Sequence, residues 1–226
     1  MSDVSRPTDA SLATTRLRQE ILSGQVPPGT KLKLVPLARR YAVSRGPLRE
    51  AASRLAAEGL ITIEDQRGFR VTPISRADLL DVTRTRQRVE TLALRDAIAH
   101  GDVAWEGRVL AACHVLGRTP VDDPAQRAAF AEHHRAFHEA LVAACPSAYL
   151  LRFRARLYAL TERYRNLASE RYAAERGARD VAGEHLALAE AAVARDADAA
   201  CALLEEHLGR TAQTLLEGYP ALFGAP

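Results

Sequence analysis

Hydrophobic and polar positions change period twice within the first 75 residues. Leu17, Ile21 and Leu22 share one face and predict a helix from Leu12 to Ser23. Gly24 stops it, and Pro27-Pro28-Gly29 forms the next turn. Pro36 suits the first turn of a short helix to Tyr41. Ser44 can cap a third helix, which runs to about Glu58 and ends at Gly59. The spacing then becomes that of strands: Leu60-Ile61-Thr62-Ile63, a turn at Asp65-Gln66-Arg67-Gly68, and Phe69-Arg70-Val71. Three helices followed by a hairpin are expected.

Thr72-Pro73-Ile74-Ser75 interrupts the pattern, and helical spacing dominates beyond it. Ser75 can cap a long helix to about His100, closed by Gly101. Further helices are expected near 103–116, 124–143, 147–169, 175–194 and 196–217, with breaks at Gly117 to Asp123, Pro146, around Arg171, and Asp196. The predicted fold is mainly α: an N-terminal winged helix-turn-helix over residues 12–72, a linker at 73–75, and a six-helix antiparallel bundle over 76–220, after a disordered tail at 1–11.

Composition sharpens this picture. The chain has 226 residues, of which 47% are hydrophobic but only 5% aromatic, so Ala, Leu and Val must fill the cores and helix is favoured. Residues 1–75 carry 12 basic and 7 acidic side chains, a net of +5, whereas residues 76–226 carry 19 and 21, a net of −2. An anionic partner is thus expected at the first region. Cys113, Cys145 and Cys201 are odd in number and widely spaced, as in a reduced cytosolic protein. The sequence lacks a run of ~18 apolar residues and a signal-peptide core, so the cytoplasm is the expected location and a membrane is not an expected partner.

The block Val43-Ser44-Arg45-Gly46-Pro47-Leu48-Arg49-Glu50-Ala51 carries the expected chemistry of the first region. Ser44, Arg45, Gly46 and Arg49 fall at or near the exposed N-terminal end of the third helix, while Leu48, Ala52 and Leu55 face inward. A helix N-terminus attracts phosphate, and arginine there can bond guanine O6 and N7 with both arms. Arg67-Gly68 at the hairpin tip can enter the minor groove or touch phosphate. This stretch resembles the GntR family of bacterial regulators. The resemblance runs from Ile21-Leu22-Ser23-Gly24 through Pro28-Gly29, Leu37-Ala38, the Val43–Ala51 block and Glu58-Gly59-Leu60 to Arg67-Gly68. It implies operator contacts by Arg45, Gly46 and Arg49, with Gly68 added by the wing. The family usually has a charged residue just before its Leu-Ala pair; here Pro36 stands there, and Arg39 or Arg40 is expected to take over that contact.

Histidines mark the second region. His134 and His138 are spaced i, i+4 on a face shared with Phe130, Phe137 and Leu141. His185 lies with Val181, Leu188 and Ala192, and His207 with Leu203, Leu204 and Thr211. Four inward-facing histidines from three helices either sit as separate core residues or converge on one metal. Imidazole suits zinc, nickel, copper, cobalt or iron over magnesium or calcium; a divalent transition metal, zinc or nickel first, is the expected cofactor. Glu139, Glu184 and Glu206 are neighbours in sequence that can orient the rings.

These positions resemble the FCD ligand-binding domain of the FadR branch of the GntR family, and the six-helix length resembles its VanR-type subgroup. Metal-binding members carry D-x-x-F-H and two later histidines. His138, His185 and His207 match that pattern directly, and His134 stands where the family usually has Asp. Four neutral ligands leave a divalent ion with two positive charges, which favours an anionic effector. Arg86, in Arg86-Gln87-Arg88-Val89-Glu90, matches the family's first-helix R-x-x-(L/V)-E and can clamp a carboxylate, or else pairs with Glu90 on the surface.

The reading is therefore a non-enzymatic transcriptional regulator, in the first instance a repressor. It is expected to form a homodimer through its C-terminal domain, to bind a near-palindromic double-stranded operator, and to respond to a small carboxylate or sugar-acid effector. Two alternatives stay open at this point: the metal itself is the signal, or the helical domain is a metalloenzyme.

Overall fold

The computed structural model describes residues 7–120, 124–168 and 179–223. Residues 1–6 of the expected tail, the expected break around Arg171, and the start of the helix expected from residue 175 lie outside them. The chain divides into two compact units.

The first unit runs to Ser75 and takes in Ala159–Leu167 from farther along the chain. Its first helix, α1 (Asp9–Leu22), starts three residues ahead of the predicted Leu12 because Thr8 caps it, its hydroxyl accepting from the Ser11 N–H. A two-residue strand, β1 (Lys31–Leu32), precedes α2 (Leu34–Tyr41) and α3 (Arg45–Ala57). Strands β2 (Ile61–Glu64) and β3 (Gly68–Val71) form the predicted hairpin. β1 adds to the free edge of β3, giving the order β1-β3-β2 with Leu32 opposite Phe69 and Ile61 opposite Val71. Two residues are too few to show a strand period, so β1 leaves no mark in the hydrophobic pattern. Ser44 sits at the N-cap of α3 but makes no side-chain capping bond.

On β3 burial follows the strand alternation, with Phe69 and Val71 buried; on β2 Ile61 is buried, whereas Ile63, two residues on and on the same face, is exposed near the hairpin tip. Leu17, Ile21, Leu48, Leu55 and Leu60 complete the core, each burial contributing about 1.5–3 kcal/mol. Leu160 packs on the edge of this core, and the Asn166 amide donates to the Leu22 carbonyl at 3.0 Å. These contacts account for the inclusion of 159–167, a stretch that sequence periodicity assigns to the helical region.

The second unit holds six helices among the described residues: α4 (Arg76–His100), α5 (Val103–Gly117), α6 (Arg127–Val142), the first part of α7 (Ala148–Leu167), α8 (Val181–Val193) and α9 (Ala197–Gly218). α4 packs on α6 and α9, and α5 on α6 and α8. Ala93, Leu94, Ala97, Val109, Leu188, Ala192, Ala200 and Leu204 fill the interior, as the low aromatic content requires. Trp105 anchors it, donating its indole N–H to the Ala140 carbonyl at 2.9 Å. Gly101 follows the end of α4, where the close approach of Trp105 requires glycine: a Cβ there would lie 2.3 Å from its ring. All three cysteines are buried free thiols. Among the described residues, no helix is long and apolar enough to cross a membrane.

One polar group locks α1 to α2. The Tyr41 hydroxyl donates to Glu20 Oε2 at 2.7 Å, and Arg40 donates to the same oxygen. Burial, reinforced by the hydrogen bond to Glu20, pushes the Tyr41 phenol up to about 12 from 10.0. The folded state therefore holds this proton more tightly than the unfolded chain. Its contribution to stability is complete below pH 10 and declines as pH rises toward 12. Between those values the wild type should lose more stability than Tyr41→Phe, with one phenol ionising near pH 12 in absorbance titration. A full set of phenols ionising near pH 10 would contradict this.

Candidate functional site

Arginines of the first unit fall into two groups. Arg18 pairs with Glu58, Arg40 with Glu20, Arg54 with Glu50 and Arg70 with Glu64. Arg39 near the end of α2, Arg45 and Arg49 at the start of α3, and Arg67 at the hairpin tip are exposed. Their side chains make no ion pair or hydrogen bond among the described residues. The first group holds the unit together; the second presents charge outward. Ser44, Gly46 and Gly68 are exposed beside them. A Cβ at Gly46 would meet nothing within 4 Å, so internal packing does not demand glycine there. Gly68 has φ +93°, which the tight hairpin turn requires.

In the second unit, α6 supplies His134 and His138, α8 His185 and α9 His207. All four are buried, and one ligand atom from each lies within 4.8 Å of all the others. The helical spacing that aligned each with an apolar stripe thus brings the four to one point. The rings pack edge-to-face or tilted, with centroids 4.6 Å apart for His134–His138 and 4.7 Å for His185–His207. His133 does not join them: it is half-buried, with Nδ1 2.7 Å from the Thr119 hydroxyl.

The outward nitrogens of two rings are held. His134 Nδ1 is 2.8 Å from the Tyr158 hydroxyl, and His207 Nδ1 is 2.9 Å from Glu184 Oε2. Both nitrogens of His138 lack a hydrogen bond although the ring is 1% exposed; its Nδ1 stands 4.0 Å from Glu90. Leaving a buried polar group so costs about 1–3 kcal/mol, which a ligated ion would offset. Burial, together with His207 and Arg86, pushes the His138 imidazole well below its usual 6.5. Burial likewise lowers His207 despite its bond to Glu184. Both rings are therefore neutral near pH 7 and offer lone pairs. Zn–N bonds of about 2.0–2.1 Å let opposed ligand nitrogens stand roughly 4 Å apart.

Of the three carboxylates flagged by sequence, Glu184 alone touches the cluster. Glu139 is exposed, and Glu206 pairs with Arg210 on the surface. Burial raises the Glu184 carboxyl, but hydrogen bonds from His207 and Arg179 more than reverse this and hold it well below 4.5. Arg86 is not on the surface: it is 2% exposed and gives its Nε to Glu90 Oε1 at 2.6 Å. Sequence reasoning missed Arg154 and Tyr158. They are spaced i, i+4 on α7, yet Arg152, Arg156, Arg163 and Arg165 on the same helix hide that signal.

A helix-turn-helix with a hairpin wing and outward arginines, joined to a helical unit, defines a bacterial transcriptional regulator. Residues 11–71 match the bacterial regulatory proteins of the gntR family, and residues 81–210 match the FCD domain. The chain belongs to the GntR family and carries an FCD domain, in a family of regulators and not of enzymes. It is 42% identical over 197 residues to the HTH-type transcriptional regulator BphR of Paraburkholderia xenovorans (strain LB400), covering 85% of this chain and 79% of that one. It is 38% identical over 195 residues to the HTH-type transcriptional repressor GlaR of Escherichia coli (strain K12), covering 85% and 89%. The solved structure of E. coli McbR/YncC shares the fold, with a TM-score of 0.79 at 19% identity over 94% of this chain and 99% of that one.

Glu184 also receives Arg179 and Arg210. Replacing it by Gln should lower the unfolding free energy by about 1–3 kcal/mol, because His207 and Arg179 lose a charged partner at a mostly buried site. Glu206→Gln, at an exposed pair, should change it by less than about 1 kcal/mol. Equal effects in thermal melts of the two variants would contradict this ordering.

Proposed function

We propose that the protein is a homodimeric repressor whose operator affinity is set by a small anionic metabolite bound at a metal centre in the helical unit. Ser44, Arg45, Gly46 and Arg49, with Arg39 and the Arg67-Gly68 wing, meet a near-palindromic operator. Two subunits pair through their helical domains, and each presents one winged helix to a half-site. Residues 12–72 act as the DNA-binding domain and 76–220 as the sensing domain, and the six helices among the described residues of that domain support a VanR-type reading. The cytoplasm is its place of action.

The observation that carries the sensing half is the convergence of His134, His138, His185 and His207, with a buried His138 whose nitrogens lack hydrogen bonds. These four residues would hold a divalent transition metal, zinc or nickel first. The ion would supply a Lewis-acidic anchor for a carboxylate or sugar acid. His134 takes the place of Asp among the ligands, and its Nδ1 contact with Tyr158 supports ligation through Nε2. Glu90 and Glu184 offset ion charge from behind the rings without occupying a coordination position. Arg86, buried beside them, contributes positive charge for the effector. When the effector favours an arrangement that does not bind DNA, effector and operator weaken each other reciprocally.

A second reading rests on the same donors: four imidazoles can fill a tetrahedral ion by themselves, which makes the metal the signal. Operator release by zinc or nickel without an organic ligand would select it.

Titrating metal-free protein with zinc and with nickel tests the centre. His138→Ala should weaken the tighter of the two by at least about tenfold; equal affinity of wild type and variant would remove the metal. Arg49→Ala should weaken operator binding by about 1–3 kcal/mol in a gel-shift assay at fixed salt. Arg54→Ala, which removes an arginine already paired with Glu50, should cost much less. Indistinguishable losses would contradict the division of the arginines.

A further inference from the structure

The wing sheet carries more positive charge than its own carboxylate answers. Thr62, Arg70 and Lys31 stand opposite one another across β2, β3 and β1, so all three lie on one face of the sheet. Leu32 and Phe69, one step along, lie on the other face and are buried. Lys31 and Arg70 are therefore like charges in direct opposition, which weakens a strand pair. Glu64 shares their face, and Arg70 takes it with both arms, Nε to Oε1 at 2.5 Å and Nη2 to Oε2 at 3.3 Å. The third Arg70 nitrogen, Nη1, donates to the Gly29 carbonyl at 2.6 Å.

Lys31 is left exposed, and its side chain makes no ion pair or hydrogen bond among the described residues. The bond from Arg70, with the nearby charges of Lys31 and Arg67, holds the Glu64 carboxyl below its usual value. Three cations thus surround one carboxylate, and one of them is the arginine at the hairpin tip. Lys33 extends the strip. It follows β1 in extended backbone (φ −84°, ψ 96°) and immediately precedes α2. It too is exposed and unpaired among the described residues. Of the 31 basic residues in the chain, Lys31 and Lys33 alone are lysine, so an amine reagent directed at lysine reports on this strip and nowhere else.

We propose that Lys31 and Lys33 hold the sugar-phosphate backbone of duplex DNA beside the wing, a contact that adds affinity without reading sequence. An ammonium is a compact point charge without the planar fork that matches a guanine edge, so it suits phosphate oxygens. The repulsion between Lys31 and Arg70 is relieved when a phosphate takes up the excess charge. The strip continues from Arg67, so one strand of DNA reaching the hairpin tip passes the lysines as well. This inference rests on the DNA-binding reading of the first unit.

The test uses full-length protein and two synthetic duplexes, poly(dA-dT) and poly(dG-dC), titrated by fluorescence across a salt series. Lys31→Gln and Lys33→Gln should each flatten the slope of log K against log salt by about one per bound subunit. Each should weaken binding to the two polymers equally, because their phosphates are alike, while thermal melts report an intact fold. Amine acetylation of wild type, read by mass spectrometry, should be slower at residues 31 and 33 in the duplex complex than in free protein. That difference should vanish at a salt concentration that releases the duplex. An unchanged slope in either variant, a loss confined to one polymer, or unslowed acetylation in the complex would overturn the inference. Aggregation of the variants with an unchanged slope would instead assign the lysines to guarding β1, an edge strand, against pairing with another sheet. Failure of wild type to bind either duplex would sink the DNA-binding reading, whereas binding with unaltered slopes sinks this inference alone.

Discussion

Burying four imidazoles at one point inside an Ala- and Leu-rich bundle is the constraint on which the second unit depends. Neutral rings tolerate burial, but each still carries a donor and an acceptor that need partners. The bundle meets that need from outside the cluster at two rings, with Tyr158 on His134 and Glu184 on His207. It does so only at a distance for His138, which has Glu90 4.0 Å away. The surrounding charges follow from this arrangement. Glu184 is clasped by Arg179 and Arg210, and Glu90 by Arg86. A bundle without the histidines would have little reason to bury Arg86 and Glu90.

The first unit solves a different problem, that of displaying positive charge without destabilising a small domain. Its hydrophobic core is closed by Leu17, Leu48, Leu55 and Val71, and its structural arginines are each matched to a glutamate. Arg39, Arg45, Arg49 and Arg67 remain exposed and unmatched among the described residues. Exposed cations in water cost the fold little, so they can be kept for an external anion. α7 belongs to both units, with Arg154 and Tyr158 in one and Asn166 in the other.

Periodicity and punctuation made most of this architecture legible. Gly24, Gly59 and Gly101 mark real helix ends, and the inward faces of α6, α8 and α9 were visible as apolar stripes that each carried a histidine. What stayed hidden has physical reasons. β1 is no longer than a single strand repeat. The cap at Thr8 lay in a polar stretch that reads as a frayed tail. Ser44 has the composition of a cap without making the bond. Arg86 has the i, i+4 partner of a surface pair, and only three-dimensional packing reveals that both members are buried. Arg154 was masked by the arginines around it, and which of three glutamates would reach a ring was not a property of sequence neighbours at all.

The central claim is that four imidazoles of one subunit hold one divalent ion. X-ray absorption at the metal edge of purified protein, with elemental analysis for stoichiometry, tests it most directly. The account predicts one zinc or nickel per chain, with a first shell of four imidazole nitrogens at about 2.0–2.1 Å and room for an added oxygen when a carboxylate is present. A sub-stoichiometric metal, or a shell built from sulfur or from fewer than four imidazoles, would contradict it.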